Sequence, residues 1–146
     1  MLADYTPQRR VIELKVGSFE VRGLTLDDIT TLVTEHLPTM EAVFDTAQNN
    51  FAGKAEITNE DMVGVAVELA QEAPGFVAEL IARAADEPGE IAKARSLPAP
   101  IQIKALVEIA ELTFEEVGGV KNAFESVAGL LKASPKLQSM MEKLAK

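Results

Sequence analysis

Apolar positions along this chain recur mostly at three- and four-residue spacings, the mark of helices packed by one face. The start of the chain is different. Val11-Ile-Glu-Leu-Lys-Val16 and Phe19-Glu-Val-Arg22 alternate loosely on either side of Gly17-Ser18, which predicts a β-hairpin closed by a two-residue turn. Residues 1–9 predict a loose tail. An isolated hairpin is marginal in water, so this one must pack on the helices or pair by an edge.

Gly23 ends the hairpin. Thr25 then predicts an N-cap, with Asp27 and Asp28 near the positive end of the helix dipole and Leu26, Ile29, Thr30, Val33 and Leu37 on helical spacing. This helix should stop at Leu37-Pro38, because a residue before proline avoids the helical region. Thr39 would cap a second helix over about 40–50, with Met40, Val43, Phe44 and Ala47 inward. Thr58-Asn-Glu-Asp61 reads as a capping box opening a helix to about residue 72, with Gly64 either a weak point inside it or a place for close helix packing. Pro74 suits the first position of the next helix, whose stripe of Phe76, Val77, Leu80 and Ile81 is narrow. A short helix over 89–95 follows.

The most apolar helix runs over 99–117, with Ile101, Ile103, Leu106, Val107, Ile109, Ala110, Leu112, Phe114 and Val117 covering more than one face. Such a helix is expected to be buried on several sides. Gly118-Gly119 stops it. A helix over 120–132 carries Val120, Phe124, Val127, Leu130 and Leu131, and Ser134-Pro135 opens a last one with Leu137, Met140, Met141 and Leu144. The pattern predicts a mostly α, multi-helix single domain with a small N-terminal β-hairpin over 1–133. A C-terminal amphipathic helix over 134–146, able to detach, completes it.

Composition agrees with a packed fold. Of 146 residues, 47% are apolar and 25% charged, a globular rather than a disordered balance. Aromatics are only 5%, so Ala, Leu, Val and Ile must fill the core. The net charge is −9 and the pI about 4.6. Arg9-Arg10 is the one basic pair, so neither a nucleic-acid backbone nor an anionic membrane is an expected partner. The absence of cysteine excludes disulfides, thiolate metal sites and cysteine nucleophiles. No basic-then-apolar leader opens the chain, and no stretch approaches the roughly 20 apolar residues of a membrane helix. A cytoplasmic protein is expected.

Little here points to catalysis. His36, the sole histidine, falls at a predicted helix end, where a capping or surface role suffices. A zinc site takes three or four ligands, and one histidine without cysteine argues against one. The acidic pairs Asp27-Asp28, Glu60-Asp61, Asp86-Glu87 and Glu115-Glu116 do not match a calcium loop. Gly118-Gly119 lacks the strand and lysine of a phosphate loop. The chain is expected to be no enzyme and to need no cofactor or metal.

Two segments carry a resemblance. Val21-Arg-Gly-Leu-Thr-Leu-Asp-Asp-Ile-Thr-Thr-Leu-Val33 is one, and Leu97-Pro-Ala-Pro-Ile-Gln-Ile-Lys-Ala-Leu-Val-Glu-Ile-Ala-Glu-Leu-Thr-Phe114 with Gly118-Gly119 is the other. Together they resemble the tail assembly chaperones, or pre-tape-measure proteins, of long-tailed bacteriophages. The resemblance implies a small, acidic, helical protein that binds the long, helical tape measure protein and keeps it soluble in the host cytoplasm until the tail tube polymerises. Such a protein is absent from the mature virion. The family also implies that a longer, frameshifted form can exist.

The expected partners are therefore the tape measure protein, with the tail tube protein as a second candidate, and further copies of the chain. The apolar residues of 99–117 are expected to be core first and client groove second. The expected partner-binding residues are Phe114, Phe124, Leu130, Leu131, Leu137, Met140 and Met141; the two methionines suit an adaptable surface. A structural tail-completion or neck protein, and a small adaptor unrelated to phages, stand as alternatives.

Overall fold

A computed structural model describes residues 1–51, 53–115, 118–119 and 122. Its described elements, after a single 3-10 turn over Leu2–Asp4, are strands β1 (Arg9–Glu13) and β2 (Ser18–Arg22) and helices α1 (Leu26–Glu35), α2 (Leu37–Phe51), α3 (Asn59–Glu72), α4 (Pro74–Ala84), α5 (Ile91–Arg95) and α6 (Ala99–Phe114). The chain is mostly helical with an N-terminal antiparallel hairpin, as the periodicity predicts. The helices expected over 120–132 and 134–146 lie outside the described residues, as does the division at 133.

The hairpin pairs Arg10 with Val21 and Ile12 with Phe19, so these four share the inward face. Ile12 and Val21 are completely buried, while Val11, Glu13, Ser18 and Glu20 face outward. The turn differs from expectation. It spans residues 14–17, closed by the Leu14 N–H donating to the Gly17 carbonyl, and Ser18 belongs to β2. Gly17 takes φ +90°, the left-handed conformation that a glycine adopts without cost, and so fixes where the chain reverses.

Helix starts follow the predicted caps. Thr25 and Asp28 form a reciprocal capping box on α1, and Thr58 and Asp61 do the same on α3. Pro74 opens α4. The proline at 38, by contrast, does not separate helices at residue 37. The α1–α2 joint falls one residue earlier, at His36, and Pro38 sits in the first turn of α2, where its missing N–H is not needed. Thr39 is therefore inside α2 and caps nothing. α1 also turns a different face inward: Asp28 and Leu32 are buried, while Leu26 is 79% exposed.

The largest departure is α4. Its apolar stripe looked narrow, yet every residue from Phe76 to Ala82, and Ala84, is buried. Helices α1, α3, α5 and α6 and strand β2 all pack on it, so α4 is central among the described elements. The alanines at 78, 82 and 84 let neighbours approach closely on the faces away from the stripe. The more apolar α6 buries Ala105, Leu106, Val107, Ile109 and Leu112, and lies against α3, α4 and the hairpin.

Candidate protein-binding groove

The two sequence segments that carry the family resemblance meet in space. Gly23, just past β2, lies against α6 so closely that a Cβ there would stand 2.9 Å from the Leu112 carbonyl oxygen and the Thr113 Cα. The next residue completes the joint: the Leu24 N–H donates to Thr113 Oγ1 at 2.9 Å, and that hydroxyl donates in turn to the Ile109 carbonyl at 2.6 Å. Gln102 Nε2 reaches the carbonyls of Ala94, Arg95 and Leu97, each at 3.1 Å, and so fixes the turn between α5 and α6.

Charged residues reinforce the joint. Arg22 donates to Asp28 Oδ2 at 2.7 Å, Asp86 Oδ1 at 2.9 Å, and the carbonyls of Gly23 and Arg83 at 2.8 and 3.1 Å. Burial pushes the Asp28 and Asp86 carboxyls up. For Asp28 the opposing pull of Arg22 and Thr25 is stronger, and for Asp86 that of Arg9 and Arg22, so both end below the usual carboxylate range. Arg10 bonds Glu108 and Glu111 on α6. The one basic pair, Arg9-Arg10, is thus engaged by Asp86, Glu108 and Glu111. It serves packing rather than a phosphate.

Above this frame, α2 packs mainly on α1 and α3 and stands away from the centre. Between it and the rest of the molecule lies a groove of about 550 Å³. Ile29 and Leu32 of α1 line it, with Met40, Val43, Phe44 and Ala47 of α2 and Met62, Val65 and Leu69 of α3. Phe76 and Leu80 of α4 and Leu106, Val107, Ala110 and Phe114 of α6 form its floor. Among its lining residues Thr113 alone carries a polar side chain, and both of its bonds are spent inside the protein. A surface this apolar recognises partners by shape and burial, not by charge.

Of the residues singled out for partner binding, Phe114 is half-buried at the end of α6 and lines this groove. Phe124, Leu130, Leu131, Leu137, Met140 and Met141 lie outside the described residues. The sequence assigns the α2 wall only as inward-facing helix positions, and it assigns no inward face to α3. Leaving them half-covered was the signal, and it exists only in three dimensions.

The other candidates fall as follows. Asp27-Asp28 and Glu60-Asp61 sit in helix first turns, and Asp86-Glu87 follow α4. Asp86 takes φ +60°. Glu115 ends α6, and Glu116 is not among the described residues. His36 caps the C-terminus of α1, edge-on to Phe76 with ring centroids 5.5 Å apart, and half-buried rather than on the surface. Among the described residues no helix is long and apolar enough to cross a membrane.

The comparison that decides the family covers nearly the whole chain: residues 1–145 match the pre-tape measure protein family. The chain belongs to that family. No curated protein and no solved structure matches it. Membership of the pre-tape-measure family assigns the chain to phage tail assembly, in a role related to the tape measure protein, an assembly role rather than a catalytic one. The joint at Gly23, Leu24 and Thr113 gives physical meaning to the two segments by which the chain resembles the family.

Proposed function

We propose that this protein is a tail assembly chaperone that holds apolar helical segments of the tape measure protein in the groove walled by α2 and floored by α4 and α6. The observation that carries the reading is an apolar trough on a protein of the pre-tape-measure family. A long helical client presents apolar stripes at i, i+3, i+4 and i+7, which aggregate when bare. A trough of Ile, Leu, Val, Met and Phe side chains receives such stripes in the helix-in-groove manner. Met40 and Met62 let the walls adapt to different client sequences.

Phe114 belongs to the groove, and Phe124, Leu130, Leu131, Leu137, Met140 and Met141 extend the apolar contact surface in this reading. The negative charge keeps loaded complexes apart and draws in basic client segments. The chaperone acts in the host cytoplasm, associates with further copies of itself, and leaves before the virion is finished.

The test is co-expression with the tape measure protein of the same phage, reading the soluble fraction of the client. The wild-type chain should raise that fraction several-fold. Ala47→Glu places a charge on the half-exposed groove wall without disturbing α2 and should abolish the gain. Equal precipitation of the client with and without the protein overturns the reading. Its presence in purified particles would favour a structural tail-completion or neck protein instead.

A further inference from the structure

The α1–α2 joint brings together three groups that the groove does not use. Glu35 ends α1, His36 is the joint itself, and Glu79 projects from the central helix α4. One ligand atom from each lies within 4.8 Å of the others, and among the described residues no other set of three such groups converges in this way. His36 Nε2 stands 3.6 Å from Glu79 Oε2. Zinc bonds of about 2.0–2.1 Å in tetrahedral geometry place ligand atoms about 3.3 Å apart, so that pair is already close to the needed separation.

A second observation points to something missing. The Glu79 side chain is only 10% exposed, yet its Oε2 accepts no hydrogen bond. Arg83 Nε forms an ion pair with the same oxygen at 3.5 Å, but neither buried atom makes a hydrogen bond. A buried carboxylate oxygen left unsatisfied is costly, and native interiors rarely keep one. Glu35 and Glu79 bring carboxylate oxygens within 4.8 Å of each other at this point. Two carboxylates facing each other beside an imidazole are bridged by a proton or by a cation.

We propose that Glu35, His36 and Glu79 form a binding site for a divalent zinc-class cation, with solvent in the fourth position. One imidazole and two carboxylates are a mixed N/O set suited to zinc rather than to calcium, which takes six or more oxygens. The C-terminal end of the α1 dipole adds negative potential at this point. Arg83, whose Nε stands 3.5 Å from Glu79 Oε2, opposes the dication. One histidine without cysteine argues against zinc in the sequence; what the sequence does not show is that Glu79 of α4 converges on Glu35 and His36. Bound metal would pin the α1–α2 joint to α4, and the joint carries the α2 wall of the groove.

The experiment is a titration of the full chain, free of any affinity tag, with zinc chloride, read by calorimetry and by NMR of the His36 ring. A single histidine makes that signal unambiguous. Zinc should bind one-to-one, shift the His36 resonances and raise the melting temperature by several degrees at saturation. Glu79→Gln should weaken binding at least about tenfold, and Glu35→Gln, at an exposed position that cannot disturb the core, should do the same. Arg83→Gln should tighten it by removing the competing charge. Absence of binding at millimolar zinc, an unmoved His36 signal, or equal affinity in Glu35→Gln overturns the proposal. So does tighter binding of calcium than of zinc.

Discussion

Gly23 shows how much one missing carbon can decide. No side chain fits between the end of β2 and α6, because a Cβ would meet backbone atoms that cannot swing aside. Gly23→Ala should therefore destabilise the protein by about 1–3 kcal/mol, measured as a lower urea midpoint with unchanged helicity of the folded state. The acid side of the same joint gives a second prediction. Asp28 and Asp86 have folded pKa values lowered below their unfolded ones. Their contribution is full above the unfolded value, near pH 4, and is lost as pH falls through the lowered folded values. Urea midpoints measured from pH 6 downward should fall below about pH 4. In Asp86→Asn, which tolerates the left-handed backbone but carries no charge, the fall should be shallower.

Elements divide into those whose ends are written locally and those whose faces are not. Thr25-x-x-Asp28, Thr58-x-x-Asp61 and Pro74 were legible because a cap needs only residues within one turn. The burial of α4 was not legible. Alanine scores the same on an inward and an outward face, so Ala78, Ala82 and Ala84 gave no sign that other elements surround them. The inward face of α1 was misjudged for a related reason: a buried Asp28 satisfied by Arg22 and Thr25 reads as polar surface until its partners are known. Gly64 tests local propensity directly. It lies inside α3, and a Cβ there meets no atom within 4 Å. Gly64→Ala should raise stability by about 0.5–1 kcal/mol, checked by chemical denaturation.

For the whole molecule the apolar groove is the feature that composition could announce but not locate. Surplus apolar helix surface was evident after residue 97, and Phe114 does line the groove, yet most of its walls come from α2 and α3. A partner docking there by burial should bind with a negative heat-capacity change, obtained from calorimetry at several temperatures with peptides from the tape measure protein. A heat-capacity change near zero would mean that the contact is polar and lies elsewhere.

The bond from the Leu24 N–H to Thr113 Oγ1 also sets a clock. It spans 89 residues. At synthesis rates of about 5–20 residues per second, roughly 5–20 seconds pass between the emergence of one partner and the other. Throughout that interval Ile12 and Val21, completely covered in the finished fold, have no α6 to cover them. The hairpin is made early and gains its α6 cover late, so a nascent chain stalled before residue 112 holds its first two strands without the finished α6 against them.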